Sequence, residues 1–290
     1  MTNNFKKATK KQAKLRLALF GVSGAGKTYS ALRLATGLTG EKGKIAVIDT
    51  ENKTACKYSN KFDFDVCECE MPSINNIMLL LKEAAEYDVL IIDSLTHAWD
   101  ELIEEVNRIA KTKFGGNSWS AWSEGTPKQR LFIKALMSFK GHLIVTMRSE
   151  TSWEIQENDK GKKVPVRIGT APKQGKNIEY EFDMLMRLNS DHSAYILKDR
   201  TGKYQDECIS LINEDLGVEL KDWLNEGEPL PDPNADFGIL QGLKATDTTN
   251  NAHQYYLNYQ NKAQNPETFK QAYIIHYKEL KKKEEQLNGN

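Results

Sequence analysis

The chain is short of net charge, of cysteine and of long apolar runs, and each shortage excludes something. Lys plus Arg and Asp plus Glu both number 40 in 290 residues. The whole-chain charge therefore offers no field that would gather a polyanion, and any nucleic-acid surface has to be local. No stretch of 18 or more apolar residues occurs, and the Lys-rich, polar N-terminus has no apolar run behind it. Neither a membrane span nor a secretory leader is expected, and a cytosolic (cytoplasmic) location is. The four cysteines are Cys56, Cys67, Cys69 and Cys208. A lone Cys67-x-Cys69 pair, with no second pair and no nearby histidine, lacks zinc-site spacing and reads as reduced, structural thiols. His97, His142, His192, His253 and His276 are scattered and read as surface or packing residues. No Ser/His/Asp or Cys/His arrangement and no nuclease-like carboxylate cluster stands out.

What is present is a regular alternation of strand and helix patterns. Residues 1–13 are a basic arm carrying Lys6, Lys7, Lys10 and Lys11, and residues 15–20 read as a first strand. Ala31, Leu32, Leu34, Ala35 and Leu38 then recur at helical spacing up to Gly40, before a new apolar run at 45–48. That βαβ opening predicts a parallel sheet. A helix over 73–86 leads to Val89-Leu90-Ile91-Ile92-Asp93, an uninterrupted apolar run that suits a central strand covered on both faces. A helix from Leu95 is expected to break at Gly115-Gly116 into a loop reaching Pro127, followed by a helix over 131–139 and a fourth core strand at 143–147. Residues 149–176 alternate and predict a hairpin turning at Asp159-Lys160-Gly161, with short strands at 184–188 and 194–197 that make the second half of the core antiparallel. Composition sets the boundaries: core 14–226, a Gly/Pro-rich linker 227–235, and a small helical appendage over 236–290.

The chemistry is concentrated in Gly21-Val22-Ser23-Gly24-Ala25-Gly26-Lys27-Thr28, which fits G-x-x-x-x-G-K-[ST] and lies between a strand and a helix. Glycines let backbone N–H groups wrap phosphates and the helix presents its positive end. In such a loop Lys27 reaches the β- and γ-phosphates and Thr28 ligates Mg²⁺, so ATP with Mg²⁺ is the expected ligand, with Tyr29 completing the nucleotide-binding set. Asp93, ending its strand, is the expected second Mg²⁺ anchor. Hydrolysis needs a carboxylate to orient water, and Ile48-Asp49-Thr50-Glu51 places Glu51 beyond the second strand at the same edge. The position directly after Asp93, where many ATPases of this class carry that glutamate, is Ser94.

With Glu51 and Asp93-Ser94 in these places the chain resembles the RecA/RadA recombinase core. Val145-Thr146-Met147-Arg148-Ser149, Ile178-Glu179-Tyr180-Glu181-Phe182-Asp183 and Lys198-Asp199-Arg200 are similar to stretches of phage and prophage AAA-type ATPases of single-strand annealing and recombination, over residues 14–225. The resemblance implies a RecA-like α/β fold: a mostly parallel central sheet flanked by helices, with antiparallel strands in its C-terminal half. It implies a homo-oligomer, ring or filament, in which Lys198 and Arg200 reach a neighbour's γ-phosphate, and a DNA-binding ATPase that assembles on single-stranded DNA. Met147 stands where that family has glutamine, so phosphate sensing falls to Thr146 or Arg148, and Arg148 joins Glu51 and Lys27 in the catalytic set.

Two segments combine cations with aromatic rings as single-strand binding requires. One holds Lys111, Lys113, Trp119 and Trp122; the other, the hairpin, offers Trp153, Lys162, Lys163, Arg167 and Lys173. Readings from other classes are a helicase or helicase loader on the same core, a nucleotide-switched scaffold with an idle Glu51, and a small-molecule kinase, for which no arginine-bearing lid is found.

Overall fold

The computed structural model describes residues 12–40, 43–157, 163–175, 178–227 and 236–288. The chain divides into two compact units, Ala13–Glu226 and a second that includes Gly227–Asn290.

The first unit is built on β1 (Arg16–Gly21), α1 (Lys27–Thr39), β2 (Ile45–Asp49), β3 (Asp65–Glu68), α2 (Ile74–Glu83), β4 (Val89–Asp93), α3 (Leu95–Lys113) and α4 (Ser118–Met137). It continues through β5 (His142–Glu157), β6 (Lys163–Pro172), β7 (Met184–Leu188), β8 (Ala194–Asp199), β9 (Cys208–Ile209) and α5 (Glu214–Asn225). The sheet runs in the order β3-β2-β4-β5-β1-β7-β8-β9, with β6 paired to the outer part of β5. From β3 to β7 every neighbouring pair is parallel; β8 and β9 close the far side antiparallel. This is the mostly parallel, helix-flanked architecture expected.

Alternation along the strands builds two cores. Ala18 and Phe20 of β1 face one side, where Leu90 and Ile92 of β4 meet α2, α3 and α4. Leu17 and Leu19 face the other, where Val89 and Ile91 meet α1 and α5. The period of two in a strand sends successive side chains to opposite faces, so a run apolar at every position is what a doubly covered strand requires. Parallel strands joined by helices also bring the C-terminal ends of β1, β2, β4 and β5 to one edge, where ligands of such sheets bind.

Three expectations are corrected. An additional parallel strand, β3, lies at the edge beside β2; its residues are largely exposed and lack the apolar run that marks a buried strand. β7 pairs parallel with β1, so the antiparallel strands of the C-terminal half are β6 against β5, and β8 and β9. The Trp-containing stretch after Gly115-Gly116 is not a loop to Pro127: Asn117 caps α4 by accepting from Ser120 N, and the helix runs through Pro127. The proline removes one helical donor, and burial of Ala121, Gly125, Phe132 and Leu136 against the core holds the helix around it. The hairpin exists as the β5–β6 pair, while its expected turn at 159–161 lies outside the described residues.

The second unit holds α6 (Phe237–Lys244), α7 (Thr249–Tyr259) and α8 (Pro266–Asn288). Leu243, Ala252, Ala263, Phe269 and Leu280 form its own core, lined by Tyr255, Tyr256, Tyr259 and Tyr273. Buried Asp236 accepts from the backbone N–H groups of Gln264 and Asn265, fixing the approach to α8.

Candidate nucleotide site

The loop that leaves β1 requires glycine for two reasons, close backbone approach at Gly21 and positive φ at Gly24 and Gly26. A Cβ on Gly21 would lie 2.6 Å from the Leu188 carbonyl oxygen of β7, and Gly24 and Gly26 hold φ of 80° and 86°, a region costly for other residues. Ala25 is fully buried beneath the loop, and α1 begins directly at Gly26. Lys27 Nζ donates to the carbonyls of Gly21 and Val22 at 3.2 and 3.0 Å. Burial lowers the Lys27 ammonium below its ordinary value, with Arg148 pushing the same way and Asp93 and Glu51 opposing.

Next to it, Thr28 Oγ1 donates to Asp93 Oδ2 at 2.5 Å, and the Thr146 hydroxyl of β5 donates to the other carboxylate oxygen. Burial raises the Asp93 carboxyl above the usual range, against the two hydroxyl hydrogen bonds and with Glu51 and Asp49 adding to it. A hydroxyl and a carboxylate at one point are hard oxygen donors of the kind Mg²⁺ takes, with phosphate and water filling its other positions. The residues fit the ion in that sense. No cluster of three or more His, Cys, Asp or Glu that would hold a metal by itself exists among the described residues. Ser94 Oγ, buried beside Asp93, has no hydrogen-bond partner, and the Asp93–Ser94 peptide is cis.

Glu51 lies across the cleft from the loop. Buried Asp49 shapes the segment by accepting from Glu51 N at 2.7 Å and Ala55 N at 2.8 Å, which turns the chain sharply after β2. Arg148, immediately after Met147 in β5, grips both Glu51 oxygens, Nε to Oε1 at 3.0 Å and Nη2 to Oε2 at 2.9 Å. Burial alone would raise the Glu51 carboxyl; the Arg148 hydrogen bonds and charge, with His97 and Lys27, bring it below the ordinary glutamate value. Thr146 and Arg148, two apart on the strand, both meet site carboxylates, while Met147 between them is buried in the core on the opposite face.

The loop, Lys27, Thr28, Glu51, Asp93 and Arg148 line a cleft of about 990 Å³ that also includes Tyr29, Thr54, Lys57, Tyr58, His192 and Leu211. Tyr29 meets Tyr58 and Phe62 edge-on, at centroid distances of 5.5 and 5.3 Å, so aromatic rings stand in the cleft beside the cationic loop.

The other expected cations lie elsewhere. Lys198 Nζ donates to the carbonyls of Glu179 and Tyr180, and Arg200 pairs with Asp183 at 3.1 Å and donates to the same Tyr180 carbonyl. Both thus point the same way from β8 and its end, onto the 178–180 turn, and neither lines the cleft. Lys173 sits at the root of the hairpin and pairs with Asp100 of α3 at 2.8 Å. Trp122 stacks on Trp99 at 5.5 Å and packs, partly buried, against the core, whereas Trp119 is 87% exposed. Lys162 and the side chains of Trp153, Lys163 and Arg167 lie outside the described residues.

The sequence reading missed Asp49, Thr50 and His97 as parts of the site; Thr146, named there for phosphate sensing, meets Asp93. His97, set aside there as a packing residue, has Nδ1 2.7 Å from Thr50 Oγ1 and Nε2 3.9 Å from Glu51 Oε1. Its position four residues past Asp93, one helical turn into α3, was the available signal.

A KaiC-like protein from the hyperthermophilic archaeon Pyrococcus horikoshii is 13% identical, with 66% of this chain and 82% of that one covered at a TM-score of 0.38. No curated protein matches the sequence. The AAA domain family matches residues 13–213, the span that carries the phosphate loop, Glu51, Asp93 and Arg148, and the chain belongs to that family of ATPases.

Proposed function

We propose that the chain is a Mg²⁺-dependent ATPase that hydrolyses ATP to ADP and phosphate and works as a DNA-binding protein in recombination or single-strand annealing of the phage type. The observation that carries the hydrolytic part is the convergence of Lys27, Thr28, Asp93, Glu51 and Arg148 on one cleft. In this reading the loop N–H groups and Lys27 hold the β- and γ-phosphates, and the base lies toward Tyr29 and Tyr58. Thr28 directly and Asp93 through water would hold Mg²⁺, which would supply charge neutralisation at the phosphate oxygens. Glu51 accepts the proton of the attacking water, and Arg148, a hydrogen bond away, exchanges Glu51 for the γ-phosphate as charge develops there.

Lys198 and Arg200 serve a neighbouring chain in an assembled homo-oligomer, their present carbonyl and Asp183 partners giving way on assembly. The hairpin is the arm for single-stranded DNA. Its support is continuity: β5 runs unbroken for 16 residues from the core sheet past Arg148 into the arm. One specific observation favours a second reading, a nucleotide-switched scaffold with slow turnover: both Glu51 oxygens are engaged by Arg148.

The test is ATP turnover with and without single-stranded DNA, at stated salt, for wild type, Lys27→Ala and Arg200→Ala. Stimulation by DNA that disappears in both variants is the expected result. Turnover indifferent to DNA and to Arg200 would overturn the assembly and DNA parts of the proposal, and turnover surviving in Lys27→Ala would overturn its nucleotide part.

A further inference from the structure

His97 stands near Glu51 Oε1, the oxygen that also accepts from Arg148 Nε. Arg148 and Glu51 line the cleft, and the imidazole is placed at the first turn of α3 with its two nitrogens divided between neighbouring residues of one segment. Nδ1 meets the Thr50 hydroxyl at 2.7 Å, and Nε2 faces Glu51 Oε1 at 3.9 Å.

Thr50 Oγ1 accepts from the Ser94 N–H at 2.7 Å and has two acceptors within reach of its one proton, the Ser94 carbonyl oxygen at 2.9 Å and His97 Nδ1 at 2.7 Å. Donation to the nearer of the two, Nδ1, leaves the hydrogen of a neutral imidazole on Nε2. Nε2–H then faces a carboxylate, which is the electrostatically favoured arrangement. The reverse tautomer would set a lone pair against a negative oxygen.

Two nitrogens thus stand near Glu51 Oε1: Arg148 Nε, bonded to it at 3.0 Å, and His97 Nε2 at 3.9 Å, beyond hydrogen-bond length in this arrangement. Arg148 is half exposed on the cleft wall, long, and bonded to both oxygens; His97 is short, mostly covered and fixed through Thr50 to the start of α3. A general base needs one oxygen free for water and the other held, since a carboxylate swinging about its side-chain torsions loses the alignment on which the step depends. Arg148 alone cannot provide that while it holds both oxygens.

We propose that His97 is the positioning residue for Glu51, its Nε2–H retaining one carboxylate oxygen when Arg148 turns to phosphate, so that the other oxygen faces water. The proposal rests on the ATPase reading and names the residue that orients its base.

The test compares kcat and KM for ATP in full-length His97→Gln and His97→Asn with wild type, and with Glu51→Gln in the same assay. A glutamine amide N reaches the place of Nε2, and an asparagine amide N only that of Nδ1. The expected result is a split: His97→Gln retains about a third or more of kcat, His97→Asn loses about tenfold or more, and KM stays within about twofold in both. Urea midpoints are measured alongside, and the split is expected without a matching difference in stability. Equal loss in both variants, no loss in either, or a loss confined to KM overturns the role of His97 while leaving the ATPase reading intact, provided Glu51→Gln abolishes turnover. If Glu51→Gln turns over ATP like wild type, the ATPase reading itself falls and the role of His97 with it.

Discussion

A carboxylate buried as deeply as Asp93 is costly unless its oxygens are satisfied, and here two threonine hydroxyls from different elements satisfy them, one on each oxygen. The phosphate loop, Asp93 and Glu51 were legible in the sequence because each is marked locally: a glycine pattern, the end of an apolar run, a carboxylate just beyond another. His97 carries no such mark, since its role depends on which helix lies beside Glu51 in space. Thr146 was named only through the family resemblance, and Met147, which stands where that family has glutamine, is a core side chain facing away from Thr146 and Arg148. His142 is a second histidine with a fixed place, accepting from Leu15 N at 3.0 Å. Burial, helped by Lys14, Arg16 and Lys221, lowers its pKa from 6.5 to about 3. The folded state thus stays neutral where the unfolded chain takes a proton, so stability complete above pH 6.5 is lost as pH falls toward about 3. Asparagine can accept the same N–H without titrating. In urea unfolding, wild type should lose about 2 kcal/mol more than His142→Asn between about pH 6.5 and 5. Equal losses would contradict a buried neutral imidazole.

Among the elements, those with a strong period were readable and those defined by a neighbour were not. The apolar runs of β1, β2 and β4 and the helical spacing of α1, α3 and α5 announce themselves. β3 is an exposed edge strand whose only partner is β2, so its alternation has no apolar contrast. α4 was obscured by glycine, serine and Pro127, residues of low helix propensity that tertiary contact overrides. Close contact also dictates the crossing of α1 and α5. A Cβ on Gly217 would stand 2.5 Å from the Leu34 carbonyl oxygen and 2.9 Å from Gly37 Cα, and one on Gly37 would stand 2.0 Å from the Glu214 carbonyl oxygen. An exposed helical glycine gains about 1 kcal/mol on replacement by alanine. At this crossing the backbone contact reverses the sign, and Gly217→Ala is expected to lose about 1–3 kcal/mol in urea unfolding. A neutral or stabilised variant would show that the helices do not meet backbone to backbone.

For the whole molecule, the chain divides into two compact units, and the residues of the candidate nucleotide site lie in the unit Ala13–Glu226. The partners of Lys198 and Arg200 within their own chain were beyond the reach of sequence, which shows only that both side chains leave an extended segment on the same side. The hairpin continues the strand that bears Thr146 and Arg148, and its root is tied to α3. Arg148 N donates to the Thr96 hydroxyl, which donates to the Lys173 carbonyl oxygen, and Lys173 N donates back to the Arg148 carbonyl oxygen. All of this depends on the cleft being a hydrolytic centre with Glu51 as its base. The direct measurement is steady-state ATP turnover by the full chain in Mg²⁺, wild type against Glu51→Gln, with ATP binding measured on both. The account predicts that ATP still binds the variant while turnover falls by about 10²-fold or more; equal turnover in the two would contradict it.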